Sequence, residues 1–351
     1  VLRLQGAAQD AYRTDREAWE RLTELLGPDH LHTIAAAAGL GGDLRQLGRY
    51  AEAQALDRRT LEAAERVLGP DHPRTMMSLN NLAVSAFLAG DLDDSFEGHS
   101  TAAARQRSVL GEDDLYTVIS ELNRARALRE AGRYEEARAA LAGTVERSRA
   151  RYGEDHDGTL RGLRHLGGAL LRLGRYEEAR AADEEAYRRG LARYGADHPE
   201  TAAAAGNLAV DLAALGESGR AVELARAVFE YHRAHLGEEY PTTLIAAGNL
   251  AVLLRRDGRV EEAAALSGRV LEGLRAQLGE RHRYVGAALL NHANSLAAVG
   301  DPAGARELDE RAAEVLAESL GPDHPDSRAA FGNLAADPSG RADVFVEAPP
   351  V

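Results

Sequence analysis

Glycine recurs along this chain with a fixed period, and no other feature limits the fold as tightly. Gly27, Gly69, Gly111, Gly153, Gly195, Gly237, Gly279 and Gly321 stand 42 residues apart without a slip, and six of the eight follow Leu. A second series, Gly48, Gly90, Gly132, Gly174, Gly216, Gly258 and Gly300, lies 21 residues after members of the first. Self-similarity at such a period marks a repeat array rather than a globule around one core. Two glycine stops per period divide each repeat into halves, each the length of one helix and one turn.

The residues between the stops read as helix pairs. In Gly69-Pro-Asp-His-Pro73-Arg-Thr75, glycine suits the left-handed position beyond a helix C-terminus and Pro73 suits the first turn of the next helix. The first helix of a repeat, helix A, is predicted from about Pro73 to Ala89, with Leu79, Leu82, Ala83 and Ala86 on one apolar face. Helix B is predicted from about Leu92 to Val109. Its column Ala53, Ala137, Ala179, Ala221, Ala263 and Ala305, broken only by Ser95, allows close helix approach.

A pair this thin cannot bury its apolar stripe alone, so neighbouring repeats must stack. The expected fold is all-α, a right-handed superhelical α-solenoid of antiparallel helix pairs. Residues 1–26 read as helix B of a truncated preceding repeat, with Trp19 in the core column of Leu61, Val145, Tyr187, Phe229 and Leu271. Seven repeats occupy 27–320, and 321–336 is a partial repeat supplying one more helix A. Residues 337–351, with Asp-Pro-Ser-Gly and a Pro-Pro ending, leave the period as an extended or disordered tail. The start, Val1-Leu-Arg-Leu-Gln-Gly, reads as the cut edge of a longer protein.

Composition removes several functions. The absence of Cys excludes thiolate metal sites and Cys nucleophiles. All 42 basic residues are Arg, so neither a Gly-Lys-Ser/Thr phosphate loop nor a Schiff-base lysine is available. A net charge of −14 disfavours nucleic acid and anionic membranes as partners. Charges interrupt every apolar run before the ~18 residues of a membrane span, and no signal peptide is evident. The expected location is cytoplasmic.

The unit Asn-Leu-Ala…Leu-Gly-Arg-Tyr-Glu-Glu-Ala…Leu-Gly-Pro-Asp-His-Pro-x-Thr, as in Asn207-Leu-Ala, Gly174-Arg-Tyr-Glu-Glu-Ala179 and Leu68-Gly-Pro-Asp-His-Pro-Arg-Thr75, resembles the 42-residue tetratricopeptide repeat of the kinesin-light-chain type. The resemblance extends over nearly the whole chain. Arrays this regular, rich in Ala and Arg and free of Lys, are similar to those at the C-termini of actinobacterial signalling proteins, where an NTPase switch domain often precedes them.

Two ladders are candidates for function. The loop pairs Asp29-His30, Asp71-His72, Asp155-His156, Asp197-His198 and Asp323-His324 suggest metal or acid–base chemistry, but equivalent residues of stacked repeats lie at least ~8–10 Å apart. Zinc ligands converge within ~2.0–2.2 Å of one ion. These residues are expected to cap helix A, with no metal, cofactor or catalytic residue. The second ladder is Asn81, Asn123, Asn207, Asn249, Asn291 and Asn333, with His165 and Gly39 in the other slots. Asn is unfavourable inside a helix, so its recurrence points to hydrogen bonds between repeats or to a polar lining. The tetratricopeptide resemblance implies a concave surface there, with amides bonding the backbone of an extended peptide.

Helix-A positions on the same face carry Arg126, Arg129, Arg161, Arg164, His165 and Arg172 in the third and fourth repeats. Smaller groups follow at Ala203, Gly206, Val210, Gly248 and Val252, then Arg255, Arg256 and Asn294. Guanidinium forks favour an acidic segment or a terminal carboxylate; pairing with Glu of neighbouring helices is the alternative. The sequence thus points to a non-enzymatic scaffold that recognises a protein or peptide, as the sensor region of a larger signalling protein. The candidate residues are Asn81, Asn123, Arg126, Arg129, Arg161, Arg164, His165, Arg172, Asn207, Asn249, Arg255, Asn291 and Asn294. Val344–Val351 could occupy the groove itself. A self-association arm is the competing reading, since uncapped solenoid ends pack on one another.

Overall fold

A computed structural model describes residues 8–337 and 340–347. The parts of the truncated repeat and of the tail expected at 1–7, 338–339 and 348–351 lie outside the described residues. Among those described, sixteen α-helices alternate as the glycine ladders require, with no strand. Helix A of successive repeats is α2 (Leu31–Gln46), α4 (Pro73–Ala89), α6 (Leu115–Glu130), α8 (Asp157–Arg172), α10 (Pro199–Ala214), α12 (Pro241–Arg256), α14 (Arg283–Ala298) and α16 (Pro325–Asn333). The helix-B series is α1 (Ala8–Leu26), α3 (Tyr50–Leu68), α5 (Leu92–Leu110), α7 (Tyr134–Tyr152), α9 (Tyr176–Tyr194), α11 (Ser218–Leu236), α13 (Val260–Leu278) and α15 (Pro302–Leu320).

Both halves of the repeat end for the reason the sequence suggests. Gly69 closes α3 at φ 82°, and Gly90 closes α4 in the left-handed region, its N–H bonding back to the last turn. The next helix A then starts on a His cap. The Nδ1 atoms of His30, His72, His156, His198, His282 and His324 accept the N–H two residues on at 3.1–3.2 Å. At Asp114 a carboxylate oxygen takes the same role at 2.9 Å. The Asp-His ladder is therefore cap chemistry, which satisfies one of the four N–H groups a helix start leaves open.

The chain forms two compact units, residues 1–166 and 167–351. In each, consecutive helices pack side by side as pairs. Helix A also touches helix A of the next repeat, in α2–α4, α4–α6, α10–α12 and α12–α14, more extensively than helix B touches helix B. The A helices therefore line the tighter, inner side of each stack. Close approach rests on the Ala column, whose members from Ala53 to Ala305, with Ser95, are at most 1% exposed. In the first unit Trp19 and Tyr12 of α1 pack against Ala37, Leu40, Leu44, Ala53 and Leu56, as a preceding helix B should. In the second the main cluster runs from Leu208 to Ala330 and takes in Val344.

Candidate functional site: an asparagine-lined groove

The second unit's ladder faces a segment of its own chain. Residues 341–347 leave helical geometry and run along the inner face of α12, α14 and α16. Asn333 donates to the Ala342 carbonyl at 3.0 Å and accepts from the Ala342 N–H at 2.7 Å. Asn291 does the same with Val344 at 2.7 and 3.1 Å, and Asn249 with Val346 at 2.7 and 3.2 Å. Three rungs spaced 42 residues in sequence thus read every second residue of one backbone.

The spacing has a geometric cause. Two residues of extended chain advance about 6.6–6.8 Å, less than the 8–10 Å between packed helix axes. Side chains on the inner side of a curved stack converge, so their tips come closer than their axes. A carboxamide fits each rung because it offers a donor and an acceptor from one planar group. Alternate residues meet the amides with their backbone while the remaining groups are sorted by charge and size.

Charge fixes the register. The Asp343 carboxylate, 3% exposed, receives Arg255, Arg256 Nε at 2.9 Å and Asn294 Nδ2 at 2.8 Å. Asn294 also donates to the Ala342 carbonyl at 2.7 Å, while its own oxygen accepts Asn333 and Arg341. The Arg341 guanidinium forks onto both oxygens of Asp309 in α15, a pair with 7% and 2% side-chain exposure. Burial raises the Asp309 pKa, and the hydrogen bond and charge of Arg341 oppose that rise. Arg172 closes the groove from another side, donating to the Phe345 carbonyl at 3.2 Å and pairing with Asp326 of α16 at 3.2 Å.

Apolar contacts complete the seat. Val344 is 2% exposed within the unit's main core, and Phe345 and Val346 pack against that core. The Arg256 guanidinium lies 5.1 Å from the Phe345 ring centroid. Val346 sits over a pocket formed by Ile245, Gly248, Val270, Tyr284 and Ala287, where a cavity of about 20 Å³ remains.

The ladder behaves otherwise in the first unit. Asn123 donates to Asn80 Oδ1 at 3.2 Å, and His99 Nδ1 and Ser120 Oγ reach the same oxygen at 3.0 and 3.4 Å. That oxygen only accepts, so His99 donates from Nδ1; burial, with Arg126 nearby, lowers its pKa to about 3 and keeps the ring neutral. Asn81 is half-buried. Arg126, Arg129, Arg164 and His165 are buried and Arg161 half-buried. Arg126 stacks 4.1 Å over Phe87, and Arg129 pairs with Glu130 at 2.9 Å. Back in the second unit, Asn207 reaches Asp183 at 3.5 Å.

Of the sequence candidates, the structure gathers Arg172, Asn249, Arg255, Asn291 and Asn294 around residues 341–346. It adds Asn333 and Arg256, which the ladders contain, and Asp309, which sequence reasoning missed. A signal for Asp309 existed: helix B carries a polar residue in its apolar stripe at Asp57, His99, Asp183, Ser267 and Asp309, all multiples of 42 apart. Asp57 is held by Arg45 at 2.6 Å and Ser85 at 2.6 Å, and Ser267 by His292 at 2.9 Å. Gly41 and Gly167 make room for this column, since a Cβ would fall 2.5 Å from Asp57 Oδ1 and 2.1 Å from Asp183 Oδ2 respectively.

Comparison with known proteins agrees with this architecture. The tetratricopeptide repeat family models match residues 33–97, 76–142, 116–192, 160–234 and 284–337, and a second model of the same description matches 243–284. No curated protein matches the sequence. Among solved structures, the Rap conjugation gene regulator of plasmid pLS20 in complex with the Phr* peptide is similar at TM-score 0.64 and 14% identity, over 92% of this chain and 98% of that one. A Rap protein complexed with Competence and Sporulation Factor is similar at TM-score 0.55 and 13% identity, over 93% and 97%. BtubC (BKLC) from P. vanneervenii is similar at TM-score 0.51 and 17% identity, over 66% and 93%.

Proposed function

The chain belongs to the tetratricopeptide repeat family, and from that premise we propose that it is a recognition scaffold whose asparagine-lined groove takes an extended peptide segment. One observation carries the reading: Asn249, Asn291 and Asn333 each make a two-way backbone pair with alternate residues of one extended strand. Backbone pairing is indifferent to sequence and supplies affinity; side-chain seats between the rungs supply choice. Two Rap proteins of similar fold were solved with a peptide and with Competence and Sporulation Factor, which supports a peptide as the ligand class. Arg172, Arg255 and Arg256 favour an acidic segment. Such a module suits the sensor region of a larger cytoplasmic signalling protein.

The reading extends to the first unit, where Asn81, Asn123, Arg126, Arg129, Arg161, Arg164 and His165 form the basic part of the ladder face. Arg161→Glu tests it without touching the buried Arg126 and Arg164. Weaker binding of acidic peptides is expected. The main test is isothermal titration with a panel of acidic, neutral and basic peptides, on the full chain and on its Asn249→Ala/Asn291→Ala variant. Selective heat with acidic members, lost in the variant, is expected; equal heats in both chains would refute the groove. The seated tail also favours a second reading, exchange of residues 341–347 between two copies, because a tethered strand that fits its own groove fits a neighbour's. Light scattering across a hundredfold concentration range distinguishes the two, and a constant monomer removes the exchange.

A further inference from the structure

Resting on the peptide-groove reading, we infer that the partner is a segment of the pattern Arg-x-Asp-Val-Phe-Val, its ring set against the core and under Arg256; residues 341–346 copy this pattern, and the partner binds by displacing them. The pattern is set position by position. Arg341 is the one cation within hydrogen-bond reach of Asp309 among the described residues, and that carboxylate is otherwise buried. A ligand without a guanidinium there leaves Asp309 desolvated and unpaired, which is costly. Asp343 is held by two guanidinium groups and an amide; asparagine could not neutralise them and glutamate is one methylene too long for a buried seat. Val344 is enclosed in the core, so a polar residue is excluded. The position of Val346 has about 20 Å³ to spare, enough for Ile. Ala342 is exposed, and its side chain is not read.

Displacement follows from tethering. Only seven residues of sequence separate the end of α16 from Arg341, and a copy joined this closely competes as an intramolecular ligand, at an effective concentration of ~1 mM or more. A free ligand of equal intrinsic affinity is therefore held off until it competes with the internal copy. The groove is a site with its own competitor, and ligands better than the copy, such as one with Ile at the last position, are those it reports.

The test uses the full chain and a fluorescein-labelled peptide, Gly-Arg-Ala-Asp-Val-Phe-Val-Glu, the sequence of residues 340–347. In the chain carrying Asp343→Arg the internal copy is repelled by Arg255 and Arg256, and the peptide is expected to bind at least 10-fold more tightly than to the wild type. Peptides with Arg→Ala, Asp→Asn or the first Val→Asp should each lose 10-fold or more, whereas Ala→Ser should bind within 2-fold. Equal affinity for wild type and Asp343→Arg overturns displacement. Indifference to the peptide changes overturns the pattern while leaving a backbone-reading groove. Absence of binding by this peptide and by every acidic panel peptide overturns the groove itself. Should Asp343→Arg misfold by circular dichroism, the swap Arg255→Asp/Arg256→Asp replaces it. That chain must bind the peptide with Asp→Arg more tightly than the parent peptide, and the reverse order sinks the proposal.

Discussion

The asparagine ladder does different work in the two units. In residues 1–166 Asn123 faces other side chains of the stack: it bonds Asn80, and His99 and Ser120 share that oxygen. In residues 167–351 Asn207 still reaches a side chain, that of Asp183, but Asn249, Asn291 and Asn333 face a backbone and each is satisfied twice. One residue type at one helix position thus serves as a stack tie or as a ligand rung. The neighbours decide, since an amide turns to whichever partner fills its donor and acceptor together.

The helix-B polar column repeats the lesson. Asp57 in the first unit has Arg45 and Ser85, which offset part of the rise that burial causes in its pKa. In the second unit burial pushes Asp211 up to about 7, with Asp183 acting the other way. Asp309 obtains its cation from the tail. The second unit therefore keeps carboxylates whose comfort depends on protonation or on a docked segment.

The comparison breaks most visibly at Arg341. Arg341→Ala strands buried Asp309 and is expected to cost about 3 kcal/mol, the lower end for a broken buried pair because release of the tail rehydrates the acid. A denaturant midpoint measured at neutral pH checks this, and a shift below 0.5 kcal/mol would mean the pair is not formed. Next is the pH slope. Asp211 binds a proton in the folded chain up to about pH 7 but in the unfolded chain only to about 4, so this group removes stability as pH rises from 4 to 7. Asp211→Asn should therefore be more stable than wild type at pH 8, by on the order of 2–3 kcal/mol, and equal to it at pH 4; parallel melting curves at both pH values would contradict the assignment.

Asn291→Ala removes two backbone bonds and should cost about 2 kcal/mol, read as roughly 30-fold faster hydrogen exchange at the Val344 amide. The matched change Asn81→Ala in the first unit should stay within about 0.5 kcal/mol. If both behave alike, the contrast between the units is false. At the caps His72→Ala should cost about 1 kcal/mol, with no change in exchange at Val344.

Much of the fold was legible because it is written redundantly. Fifteen glycines at two phases, the Ala column and the Trp19 column each specify the same helix pairs, and every Asp-His pair of the ladder supplies a cap. The site was legible in part. Asn249, Asn291, Asn294, Arg255 and Arg172 follow from periodicity and charge, whereas Asp309 looked like one more acid in an acidic chain. Arg126 and Arg164 share a helix-face pattern with the groove residues, yet they are buried; spacing assigns a face and does not say what covers it.

Sequence by itself determined the repeat, its helix boundaries and the row of amides, because these depend on local backbone preferences and on a period that any one repeat displays. Tertiary structure alone decided which rungs are ties and which are seats. That choice depends on contacts between residues far apart in sequence, 53 positions for Asn291 with Val344 and 173 for Arg172 with Phe345, which no local pattern encodes and which form only once the inner sides of the stacked helices converge.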